Sequence, residues 1–243
     1  MHKLNPVFIL VKPQMAENIG AVARAMLNFG FQNLRLVSPR ENHLSDRALA
    51  MAAGAGRVLD QAQVFENLGD ACKDLNEILA TSARDRYKYK DVFDPIIGCD
   101  TIFQSCSEGN KVGILFGGER AGLSNEDLFL AKRLIRIPSN PIFSSLNLAQ
   151  SVLLMCYQLN VCSLKKSAGS SQTNVSITKA NYEEMQAFAT RLEDELDNKK
   201  FFYPEGKKKR MKTRLRKLIY GLDLNKEDVK IFHGVLKALI KKN

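Results

Sequence analysis

Five strand-length runs, each five residues long, punctuate the first two thirds of this chain: Val7–Val11, 33–37, Glu77–Thr81, 112–116 and 133–137. Between them, 17–29, the alanine-rich 46–52, 98–107 and 146–164 carry helical patterns. Strands this short cannot cover their own two faces, and turn residues bound each of them. Separated by helices, they predict an α/β fold: a mostly parallel sheet with helices on both faces.

Composition narrows the function classes. Apolar residues make up 45% of the 243 and charged residues 26%, which excludes a mainly disordered chain and a disulfide-stapled miniature. The five cysteines include no Cys-x-x-Cys pair. No secretory leader stands ahead of Pro6, so a reduced, cytoplasmic chain is expected. No apolar run is long enough for a bilayer, and no membrane partner is expected. His2, His43 and His233 lie far apart, so no metal site is expected either.

The formal net charge of +10 is unevenly divided. Residues 1–164 hold 17 Lys/Arg against 16 Asp/Glu, whereas 165–243 hold 19 against 10. A near-neutral body with a basic appendage suggests a core that does chemistry and a tail that holds a polyanion. Ser, Gly, Lys and Asn dominate the stretch after Leu164, which divides the chain into a domain at 1–165, a linker at 166–177 and a helical extension at 178–243. In the extension Thr178 is the expected cap of a helix reaching Asn198, with Met185, Phe188, Leu192 and Leu196 on one face. A second helix over 207–220 would pack through Met211, Leu215, Leu218 and Ile219. A third follows Asn225, with Asp228 three residues on.

Three segments depart from ordinary scaffold. In 17–26, Ile19, Val22 and Met26 share one helical face; Arg24 projects from the opposite one, and Gly20, Ala21 and Ala25 leave room around it. In 113–123 a strand runs into Gly117-Gly118-Glu119-Arg120-Ala121-Gly122-Leu123, where glycines permit close approach of backbone to a ligand. The spacing matches neither a dinucleotide fingerprint nor a P-loop. In 137–149 two prolines fix a loop, and Ser144 and Ser145 precede a helix.

In this order and at these separations, the segments resemble the motifs of the SPOUT superfamily of RNA methyltransferases, in its SpoU/TrmH branch. Asn18…Arg24 resembles the first motif, Gly117–Leu123 the second and Ser144-Ser145-Leu146-Asn147-Leu148-Ala149 the third. Within the branch the chain is most similar to TrmJ-type tRNA 2′-O-methyltransferases, through Thr81-Ser82-Ala83-Arg84 and the basic C-terminal helices. The resemblance implies a C-terminal deep trefoil knot, a homodimer, and S-adenosyl-L-methionine bound in the knot. By motif, the cofactor would meet Thr81, Ser82, Ala83, Gly117, Ile137, Ser144, Ser145 and Leu146. Arg24 would be the catalytic residue, with Asn18, Glu119, Ser145 and Asn147 placing it and the substrate. The implied activity is methylation of a ribose 2′-hydroxyl in tRNA, at a cytidine or uridine opening the anticodon loop (position 32). Ribosomal RNA or another tRNA position is the alternative, and an RNA-binding assembly factor without catalysis a second.

Chemistry bears on what an arginine could do there. A free guanidinium keeps its proton to pH ~12.5, so surrendering it at pH 7 costs about 7.5 kcal/mol. A charged arginine that clamps a phosphate and stabilises a developing alkoxide requires no such shift. For RNA contact, Lys207, Lys208, Lys209, Arg210, Lys212, Arg214, Arg216 and Lys217 fall within eleven residues. Such density suits phosphates. Arg84 and Arg86, interleaved with Tyr87 and Tyr89, form a second candidate whose rings could stack on a base.

Overall fold

The computed structural model describes residues 4–83, 91–167 and 178–240. Arg84, Arg86, Tyr87, Tyr89 and all of the expected linker past Ser167 lie outside the described residues.

The sheet begins with β1 (Val7–Val11), buried at all five positions. Its side chains alternate between two cores: Phe8 and Leu10 face one, and Val7, Ile9 and Val11 the other. That is why the run is uninterruptedly apolar. There follow α1 (Ala16–Asn28), β2 (Leu34–Val37), α2 (Asp46–Ala52), α3 (Gly56–Asp60), β3 (Gln63–Phe65), α4 (Leu68–Cys72) and β4 (Glu77–Thr81). The domain is completed by β5 (Val92–Phe93), α5 (Pro95–Ser107), β6 (Val112–Gly117), α6 (Asp127–Leu130), β7 (Arg133–Ile135) and α7 (Leu148–Ser167). The sheet is seven-stranded in the order β3-β2-β1-β6-β4-β7-β5, and its pairings are parallel.

Helices cover both faces, as the strand pattern predicts. Ile19 and Met26 of α1, Ala48 of α2, Leu59 of α3, Ile102 of α5 and Met155 of α7 fill one core. Leu68 and Cys72 of α4 and Leu128 of α6 fill the other. The elements that the sequence pattern does not announce are α3, β3, α4, β5 and α6, each of two to five residues. Segments so short carry too few side chains for a period to register. Because β6 enters between β1 and β4, the carboxyl ends of β1, β6, β4 and β7 lie side by side, where ligands collect in α/β sheets.

α7 runs two residues past 165, and the extension comprises α8 (Tyr182–Asn198), α9 (Lys208–Gly221) and α10 (Lys226–Ile240). The cap of α8 is Asn181, not Thr178. The Asn181 side chain accepts from Glu184 N at 2.9 Å, and Glu184 Oε2 accepts from Asn181 N at 2.8 Å. This reciprocal pair satisfies two helix-end donors that Thr178 is too far upstream to reach. Asn225 and Asp228 make the equivalent pair at 2.9 Å each. Ile219 carries the packing of α9, while Leu218 is 65% exposed, against expectation.

A buried ion cluster docks the extension on the sheet. Glu77, with 1% of its side chain exposed, accepts from Arg133 Nη1 and, at 2.8 Å, from Lys179 Nζ. Asp223 pairs with Lys132 beside them. Tyr182 stacks on Tyr220 with centroids 5.5 Å apart and donates its amide to Leu75 O at 2.9 Å. Glu77→Ala would leave Arg133 and Lys179 with only the longer contacts to Asp223, at 3.8 and 3.7 Å, and a loss of up to about 3 kcal/mol in denaturant unfolding is expected. An unaltered midpoint would show that the cluster does not hold the parts together.

Candidate active site and nucleic-acid interface

A cleft of about 300 Å³ opens at the carboxyl ends of β4, β6 and β7, a volume within the range of small-molecule sites. All eight residues expected to meet a cofactor line it. Thr81, Ser82 and Ala83 come from the exit of β4, Gly117 from β6, Ile137 from beyond β7, and Ser144, Ser145 and Leu146 from the loop before α7. Gly118, Arg120, Gly122 and Leu123 line it too. The glycine-rich turn is the sequence signal for these four.

Local geometry holds the walls in place. Ser82 N donates to Ile135 O at 3.0 Å, and Thr81 Oγ1 to Leu115 O at 3.1 Å. Ser139 Oγ donates to Ser144 O at 3.1 Å, and Phe143 N to Asn140 O at 3.0 Å. A Cβ on Gly117 would lie 2.2 Å from the Gly122 carbonyl carbon, and one on Gly118 2.2 Å from Lys12 O. Only glycine lets the turn fold back this closely, and Gly122, at φ +66°, takes the left-handed conformation that closes it.

Glu119 ties the turn to α1. It accepts from Gln14 N at 2.7 Å, Met15 N at 3.3 Å and Asn18 Nδ2 at 2.6 Å. Two of these donors are amides at the start of α1, where Met15 provides no side-chain cap; a carboxylate there also complements the helix dipole. Asn18 Oδ1 in turn accepts from Asn147 Nδ2 at 3.1 Å. Asn147 Oδ1 accepts from Ala149 N at 2.8 Å at the start of α7. The three sequence segments are thereby joined in one polar chain from the glycine turn through α1 to the start of α7.

Arg24 is not part of that chain. It lies on the exposed face of α1, outside the cleft, and makes no hydrogen bond or ion pair among the described residues. The cysteines are equally remote. All five are free, burial pushes the Cys106 thiol up to about 11 and the Cys72 and Cys162 thiols to about 12, and none lines the cleft. A thiolate nucleophile is absent from this site.

The structure sorts the basic cluster of α9. Lys208 and Lys212 bind Asp197 at 2.8 and 2.9 Å, and Arg216 grips the buried Glu193 through two nitrogens at 2.7 and 2.8 Å. These three hold α9 on α8. Lys207, Lys209, Arg210, Arg214 and Lys217 are exposed and unpaired among the described residues. No group of three or more potential metal ligands occurs among the described residues, nor any helix long and apolar enough to cross a membrane.

Known proteins resemble this chain in sequence and in fold. The SpoU rRNA Methylase family model matches residues 5–157. A tRNA (cytidine/uridine/adenosine-2′-O-)-methyltransferase TrmJ of Pseudomonas aeruginosa is 33% identical over 237 residues, covering 94% of this chain and 91% of that protein. The crystal structure of TrmJ from Z. mobilis ZM4 superposes with a TM-score of 0.84 at 40% identity, over 97% of this chain and 99% of that one. The SpoU methyltransferase AviRb of Streptomyces viridochromogenes, solved in complex with the cofactor AdoMet, shares the fold at 18% identity and a TM-score of 0.53, over 70% of this chain and 63% of that one. The match spans the sheet, the cleft and the three joined segments, and on that ground this chain belongs to the SpoU rRNA Methylase family.

Proposed function

We propose that this protein is an S-adenosyl-L-methionine-dependent tRNA 2′-O-methyltransferase acting on cytidine or uridine in the anticodon loop, at position 32. The observation that carries the reading is the polar chain Asn147–Asn18–Glu119, set against a cleft lined by all eight residues expected to hold the cofactor. The narrow wall at Gly117 and Gly118 and the backbone groups of 81–83 and 144–146 suit a flat, polar nucleoside-like group. When bound, the cofactor supplies a methyl group on a sulfonium.

In this reading Glu119 and Asn147 act as positioning residues, holding Asn18 and the start of α1 against the turn. Arg24, on the free face of α1, meets the sugar–phosphate edge of the RNA and stabilises the 2′-oxygen as its proton leaves to phosphate or water. The knot belongs to the same proposal, since the loops that would form it all border one cleft. So does the homodimer: Leu153, Leu154, Tyr157 and Leu164 on α7 are exposed apolar residues that a second copy would cover. Calorimetry with S-adenosyl-L-methionine and methylation assays on purified tRNA and ribosomal RNA test the reading. Transfer to ribosomal RNA alone would move the substrate, and binding without transfer would leave an assembly factor.

The tail is the proposed RNA grip. Removing it would also break the Glu77 cluster, so substitutions are the cleaner probe. Changing Lys209, Arg210, Arg214 and Lys217 together to Gln is expected to weaken tRNA binding at least tenfold and to flatten its salt dependence. S-adenosyl-L-methionine affinity should stay as in the native protein. Undiminished tRNA affinity would remove the tail from the interface.

A further inference from the structure

We infer that the methyltransferase core carries its own phosphate-binding row, Lys12, Arg40 and Arg120, along the carboxyl edge of β2, β1 and β6. The inference rests on the reading that the substrate is RNA and adds to it where the RNA backbone lies beside the cleft.

The row follows from strand register. Val11 pairs with Val37 on one side and with Gly117 on the other. The chain therefore leaves three neighbouring strands at one level, at Lys12, Ser38 and Gly118. With strands ~4.8 Å apart, the three exits span about 10 Å. Arg40 N donates to Pro13 O at 3.0 Å, which fixes the turn after β2 against the exit of β1. The close approach of Gly118 to Lys12 O fixes the glycine turn on the other side. Arg120 lines the cleft itself, so the row starts at the cleft mouth and runs outward.

All three side chains are exposed and make no hydrogen bond or ion pair among the described residues. The carboxylates near them are engaged elsewhere. Glu119 is held by the start of α1, Glu41 by Ala16 N and Arg47, and Glu17 by Arg47. Those contacts also occupy the amides of Gln14, Met15 and Ala16. Glu66, beyond β3, stands exposed at the far end.

Backbone conformation is an independent pointer. Lys12 has φ +53° and Ser38 φ +45°, adjacent in space at the same edge. Glycine takes this region freely, whereas a lysine is strained there. Strain of this kind is kept where the surrounding structure imposes it, here beside the glycine turn that borders the cleft. Continuity with the cleft favours the backbone of the bound RNA strand over an acidic protein as the occupant. Guanidinium forks and an ammonium then hold phosphates next to the target nucleotide.

The test replaces Lys12→Asn, Arg40→Gln and Arg120→Gln together in the full chain; asparagine tolerates the left-handed backbone. Filter binding of unmodified tRNA is measured across a salt series, with S-adenosyl-L-methionine calorimetry and thermal melting in parallel. The tRNA Kd is expected to rise about fourfold per lost contact near 0.15 M salt, and the log–log salt slope to fall by about 0.7 per contact. The Tm of the triple variant should not move, and the Lys12→Asn/Arg40→Gln pair, which does not line the cleft, should bind S-adenosyl-L-methionine as the native protein does. Arg57→Gln on α3, as a charge control, should leave both RNA readouts unchanged. Unaltered tRNA affinity and slope, a lowered Tm, or a cofactor defect in the Lys12→Asn/Arg40→Gln pair overturns the inference while the functional reading stands. So does loss of binding to an acidic protein in place of tRNA. Native protein that binds no tRNA sinks the functional reading instead, a result visible without making any variant.

Discussion

Replacing Arg24 by alanine is expected to lower methyl transfer by about 10²–10³-fold, the usual scale for removing a preorganised charge from a developing oxyanion. The fold should not notice. Arg24 is exposed and unpaired among the described residues, and surface substitutions of that kind fall within about 0.5 kcal/mol. Cofactor affinity should also hold, because Arg24 does not line the cleft. Arg24→Lys separates two roles: it retains the charge but loses the planar fork that grips a sugar–phosphate edge in two places. An intermediate rate with lysine would point to geometry as well as charge. A native rate in Arg24→Ala, measured with saturating cofactor and tRNA, would take Arg24 out of the reaction.

A tRNA carrying one 2′-deoxy nucleotide at the target should bind with native affinity yet accept no methyl group there. Phosphate contacts supply most of the binding free energy and are intact in such a substrate. What is missing is the acceptor oxygen. Exchanging cytidine for uridine at the same position should matter far less, because the reacting hydroxyl is common to both. Among the described residues no thiol lines the cleft. The protein's five thiols are free but held in the protonated form by burial. Methyl transfer to the deoxy substrate at that nucleotide would place the modification on the base and overturn the proposed chemistry.

Much of the fold and of the candidate site is legible in the amino-acid sequence by itself, and the physical reason is locality. The parallel α/β core follows from five short runs whose burial on both faces leaves no polar side to display. The candidate site stands out because glycines, paired serines and amides interrupt that apolar pattern at the ends of strands. The charge division locates the tail by counting alone. Tertiary structure decides which of these residues meet. The bonds of Glu119 to α1 span 101 to 105 residues, and that between Asn18 and Asn147 spans 129; no local pattern encodes separations of that size. Composition cannot say that Lys208, Lys212 and Arg216 are consumed by Asp197 and Glu193 while Lys209 and Arg214 stay free among the described residues. Nor can it align Lys12, Arg40 and Arg120, which stand in a row only because β1 pairs with both β2 and β6 in one register. Side-chain type and period are properties of the chain. Which charges are neutralised, and which face a common ligand, depends on distances that exist only once the sheet has closed.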